Sequence, residues 1–144
     1  MRDKILQLLT DGDFYLKEAK SKFLMRQDED QSDAARSCSK AIKRYLEAYK
    51  CFLTSRFIYT TNFHIMVREI LQYDPEFMKF YDRIFKIKCF AEESKRYNED
   101  FFLYDDEVNS SIDAALDIRS YVSQKIHNEH PFLSEFIGTS FMAI

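Results

Sequence analysis

The stretch Ala34-Ala35-Arg36-Ser37-Cys38-Ser39-Lys40-Ala41-Ile42-Lys43-Arg44-Tyr45-Leu46-Glu47-Ala48-Tyr49-Lys50-Cys51-Phe52 decides the fold. Ala35, Cys38, Ile42, Tyr45, Tyr49 and Phe52 follow one another at intervals of three and four, the spacing that puts side chains on one face of an α-helix. Ala34, Ala41 and Ala48 recur every seven residues beside that seam, so one flank is small enough for a neighbouring helix to approach closely. A helix about Asp33 to Thr54 with an apolar seam and a small flank belongs at the centre of a bundle.

The segments on either side repeat the period. From Asp3 to Met25, Ile5, Leu8, Leu9, Gly12, Leu16, Ala19 and Phe23 form a stripe. Glycine there forgoes about 1 kcal/mol of helix propensity relative to alanine, and close approach of a neighbouring helix accounts for it. Arg26 to Asp33 reads as a polar loop with Asp30 or Ser32 as N-cap. Phe57 to Thr61 is an isolated β-branched and aromatic run, expected to be a packed loop before a short helix from about Asn62 to Tyr73. Asp74-Pro75 then supplies an N-cap and a first-turn proline for a helix reaching about Tyr97, with Phe77, Phe80, Ile84, Ile87 and Ala91 on one side. After an acidic, aromatic loop, a last helix from Asp106 to about Asn128 aligns Val108, Ile112, Ala115, Val122 and Ile126. The expected architecture is all-α, an up-and-down antiparallel bundle of four to five helices over residues 1–128. Residues 129–144 form an amphipathic tail, carrying Phe132, Phe136 and Phe141, that packs on the bundle or on a dimer partner.

Composition narrows the function classes. With 144 residues, two glycines and two prolines there is one domain's worth of chain and little material for tight β turns. A formal charge of −3 argues against broad DNA or RNA binding, which calls for a basic face. No run approaches the ~20 apolar residues of a membrane span, and the first residues do not read as a secretory signal. Cys38, Cys51 and Cys89 are odd in number and widely spaced, which suits a reducing cytoplasm better than a disulfide framework.

The second helix also resembles the hallmark helix of HEPN domains (higher eukaryotes and prokaryotes nucleotide-binding), in which small residues precede a Lys-Ala pair and an apolar run: here Ala34-Ala35, then Lys40-Ala41-Ile42, then Tyr45-Leu46. Phe63-His64, Asp74-Pro75-Glu76-Phe77, Arg96-Tyr97, Ala114-Ala115 and Ile118-Arg119 recur in the family's order, so the resemblance covers about Lys4 to Ile126. Arg36 and Ser37 depart from it, standing where the family often carries an acidic residue. The resemblance implies a bundle that commonly forms homodimers. It also implies one of three roles: a ribonuclease toxin, an accessory partner of a minimal nucleotidyltransferase, or a non-catalytic domain binding a nucleotide or other small anion.

The chemistry-bearing residues discriminate among these roles. HEPN ribonucleases carry an Arg and a His separated by four to six residues. Arg56 and His64, like Arg119 and His127, are separated by seven. On a helix the latter pair stands about 12 Å apart along the axis and about 80° apart around it, poor geometry for one phosphate. Arg119 falls in the middle of the last helix's apolar face, where an unpaired charge is strongly disfavoured. It requires an internal carboxylate, with Glu47 or Asp82 the candidates, or a snorkelling path to water, or an anionic ligand at a cleft or dimer seam. Lys40, Lys43 and Arg44 cluster on the second helix, either as a solvated flank or as part of such a cleft, and Lys95-Arg96 either complements a helix C-terminus or joins it. The ligand-binding candidates are therefore Lys40, Arg44, Arg96 and Arg119, with Tyr97 for stacking. The alternative is an RNA-cleaving dimer using Arg119 and His127. A third reading is a structural partner that presents Phe101, Phe102 and the tail. His127 and His130 have no third metal ligand at a supporting spacing, and two glycines make no phosphate loop, so neither metal nor cofactor is expected.

Overall fold

The computed structural model describes residues 2–25, 28–60, 62–96 and 105–129. They form five α-helices, α1 (Arg2–Met25), α2 (Asp28–Thr54), α3 (Phe63–Tyr73), α4 (Tyr81–Arg96) and α5 (Asp105–Glu129), with a 3-10 turn at Pro75–Phe80 leading into α4. There is no strand among the described residues. The expected all-α bundle is what the chain forms. Tyr97, Phe101, Phe102 and the tail 130–144 lie outside the described residues.

α2 is the hub, packing against each of the other α-helices. Its seam from Ala35 to Tyr49 and its small flank of Ala34, Ala41 and Ala48 are buried, while Phe52 at the end of the seam is half-buried. Tyr45 and Tyr49 project one turn apart into the core as the two bulkiest of the fully buried side chains. The backbone of α1 reaches Tyr45 only because position 12 lacks a side chain. A Cβ on Gly12 would lie 2.4 Å from Cε1 of the Tyr45 ring, well inside contact distance.

Two local expectations are corrected. α2 begins at Asp28, inside the run read as a loop up to Asp33, so neither Asp30 nor Ser32 is an N-cap. Acidic residues in a first turn suit the positive end of a helix, and Gln31 is held by donating from Nε2 to the Phe23 carbonyl near the end of α1. Asp74 does not cap with its side chain. Its backbone N–H closes α3 on the Ile70 carbonyl, and its carboxylate turns into the bundle. Asn62 caps α3, accepting from the Ile65 N–H, and His64 packs against the Phe85 ring with centroids 4.3 Å apart.

Candidate functional site

Arg119 lies on the buried face of α5 with Val122, Ile126 and Ala115, and it is 3% exposed. It is met by Asp13 of α1: Nε donates to Oδ1 at 2.6 Å and Nη2 to Oδ2 at 2.9 Å, a bidentate fork. The Tyr45 hydroxyl donates to the same Asp13 Oδ1 at 2.6 Å. Burial, reinforced by the neighbouring carboxylate, pushes the Tyr45 phenol far above its ordinary value and keeps it a donor. Asp13 is 5% exposed, so the triad of α1, α2 and α5 is closed to solvent. Neither carboxylate expected for Arg119 plays that part. Glu47 lies 3.5 Å from Arg44 on its own helix, and Asp82 is exposed.

A second clamp of the same type sits one turn along α2. The hydroxyls of Tyr49 and of Tyr121 on α5 both donate to Asp74 Oδ2, at 2.6 and 2.5 Å. Burial raises the Asp74 carboxyl, but the bonds from Tyr121 and Tyr49, with Lys125 and the Glu76 backbone, outweigh it and hold the group below its ordinary 3.8. Burial and the Asp74 bond raise both phenols. Phe77 and Phe80 pack on the Tyr121 ring, so the clamp is enclosed in an aromatic cluster.

Lys40 and Arg44 are engaged elsewhere than at the Arg119 triad. Both lie over the Tyr15 ring of α1, 5.6 and 5.9 Å from its centroid, and Lys43 lies 5.4 Å from that of Tyr59. These are ring-face contacts at half-buried or exposed positions, each a modest stabilisation. Arg96 ends α4, and Tyr97 lies outside the described residues. His127 is exposed while Arg119 is buried, so the two residues of the ribonuclease alternative sit on different surfaces of α5. No group of three or more His, Cys, Asp or Glu able to hold a metal occurs among the described residues, and no helix there is long and apolar enough to cross a membrane. Burial pushes the Cys38 thiol up to about 12, leaving it unreactive at neutral pH.

No family model, no characterised protein and no solved structure matches this chain.

The sequence carries a signal for Asp13 beyond the apolar stripe of α1. It falls four residues after Leu9 and three before Leu16, on the buried face of α1, so two helices each carry one charge on an otherwise apolar face. Asp74 had no such signal, because its two partners come from helices remote in sequence.

Lys50 was also missed. It is 3% exposed near the end of α2, with Nζ donating to the Ile58 carbonyl at 2.9 Å and lying 3.5 Å from Glu69 Oε2 on α3. It lines a cavity of about 280 Å³ that opens between the end of α2, the 55–60 loop and α3.

Proposed function

We propose that this chain is a non-catalytic, HEPN-like interaction module of the cytoplasm. On this reading it acts as a homodimer or beside a partner protein such as a minimal nucleotidyltransferase. The observation that carries the reading is the closure of Asp13 and Tyr45 over Arg119. Both the nucleotide-binding and the ribonuclease roles need that guanidinium to face a phosphate, and here its fork is matched by a carboxylate inside the core. The same enclosure supports a structural task for Arg119, which joins the first helix to the last. The outer face of the bundle favours association, since Phe14, Leu24, Ile58, Tyr59 and Tyr73 are all more than half exposed, and large apolar groups left in water are a common mark of contact surfaces.

The test is two-part. The purified chain is incubated with single-stranded RNA, and its mass in solution is measured by light scattering alone and after co-expression with a minimal nucleotidyltransferase. Intact RNA with a dimer or a stable hetero-complex is the expected result. RNA cleavage abolished by Arg119→Ala or His127→Ala would replace this proposal with the ribonuclease, and a monomer that binds no partner would remove the interaction role.

A further inference from the structure

The cavity at the end of α2 has the features of a binding site for a small organic anion. α2 stops at Thr54 because Ser55 takes a left-handed conformation, φ 56°, while its N–H still donates to the Cys51 carbonyl at 2.8 Å. A non-glycine residue there is disfavoured and persists only when its surroundings fix it. Thr54 does the fixing: its hydroxyl donates to the Lys50 carbonyl at 2.8 Å and accepts from the Arg56 N–H at 3.3 Å. The reversal carries Arg56 and Ile58 back along the helix and places the Ile58 carbonyl on the Lys50 ammonium.

Lys50 is thereby buried with its hydrogen bonding incomplete. An ammonium has three donors. One goes to Ile58 at 2.9 Å, and the carboxylate of Glu69, itself 42% exposed, stands at 3.5 Å, too far for a strong bond. A buried charge with an unspent donor is a costly arrangement that an incoming acceptor relieves. Arg56 lines the same cavity and makes no ion pair among the described residues. The wall thus holds two cations against the single carboxylate of Glu69, with the Gln72 amide beside them. Ile58 and Tyr73, 61% and 54% exposed, form an apolar rim. The volume is at the small end of ligand sites, below the ~300–1,000 Å³ of drug-sized pockets.

We propose that this cavity binds a small carboxylate or phosphate monoester bearing an apolar group, its charge met by Lys50 and Arg56 and its apolar part by Tyr73 and Ile58. The proposal goes beyond the interaction role above and does not depend on it or on Arg119.

The full chain, ¹⁵N-labelled, is titrated with sodium benzoate, with phenyl phosphate and with neutral benzyl alcohol up to about 10 mM each, a range that reveals even millimolar binding. The expected result is saturable amide shifts in residues 54–58 and 69–73 with one or both anions and none with the alcohol. The tighter anion identifies the headgroup. Arg56→Ala should weaken that binding roughly tenfold, the effect of losing one charged hydrogen bond. Tyr73→Ala should weaken it severalfold, and both exposed substitutions should leave the remaining spectrum in place. Absence of saturable shifts with either anion would overturn the proposal. So would an equal response to benzyl alcohol, or anion binding indifferent to Arg56→Ala.

Discussion

Replacing Asp13 with Ala isolates what the buried pair contributes. The substitution removes two charge-assisted bonds, at 2.6 and 2.9 Å, and strands both a guanidinium that is 3% exposed and the fully buried hydroxyl of Tyr45. Breaking a buried ion pair by deleting one partner costs about 3–5 kcal/mol, because the survivor keeps its charge without its compensation. For a chain of this length each kcal/mol moves the midpoint by about 3–4 °C, so Tm should fall by about 10–20 °C in a calorimetric or circular-dichroism melt. Arg119→Met should lose a comparable amount, since it strands the carboxylate. Removing the whole polar unit should behave differently. In the triple variant Asp13→Leu, Tyr45→Phe, Arg119→Met no member of the triad is left without the other two, and its stability should return to within about 1–2 kcal/mol of the original or exceed it. Single variants costing less than about 1 kcal/mol would show that Arg119 finds compensation elsewhere, and the structural account of this arginine would fail.

Gly12→Ala sets two effects against each other: alanine gains about 1 kcal/mol of helix propensity, but its Cβ would sit 2.4 Å from a buried ring pinned by Asp13. Overpacking of this kind costs about 1–3 kcal/mol, so urea unfolding should show net destabilisation, and a more stable variant would mean that Tyr45 can retreat. Asp74 should govern part of the acid limb. Its folded carboxyl titrates below its ordinary 3.8, so the unfolded chain takes up protons first; its contribution is complete above that value and lost as pH falls through the folded one. Midpoints recorded from about pH 6 down to about pH 2 should fall less steeply in Asp74→Asn, and an identical slope would exclude Asp74 as a cause. A thiol reagent at neutral pH should label the exposed Cys89 rapidly and the buried Cys38 and Cys51 only on unfolding; rapid labelling of all three would contradict the packing of α2.

Helical period carried most of the fold, since every residue of the α2 seam up to Tyr49 and the whole stripe of α5 is buried where the spacing placed it. The boundaries that failed did so for local reasons. The acidic residues from Asp28 onward look like a loop by polarity alone, yet a helix tolerates them at its positive end. Asp74-Pro75 looks like a cap, and the carboxylate is drawn away by two tyrosines whose positions only the folded bundle defines. The site was less legible. That Arg119 needed a carboxylate, a path to water or an anionic ligand followed from its place on an apolar face. That the partner is Asp13 depended on how α1 and α5 are set around α2. Lys50 could not be read at all, because its acceptor is a backbone carbonyl delivered by a left-handed serine, and the sequence around Ser55 has no glycine to mark the turn.

Asp13 and Arg119 are separated by 106 positions. A chain growing from its N-terminus therefore makes the carboxylate early and meets its cation only when the fifth helix arrives, so α1 and α2 together hold a buried acid without an arginine until then. α5, the last of the described helices, is the one that locks the first. Closure should accordingly be a late and cooperative event, and a fragment ending at Arg96 should remain loose rather than assemble as a smaller bundle.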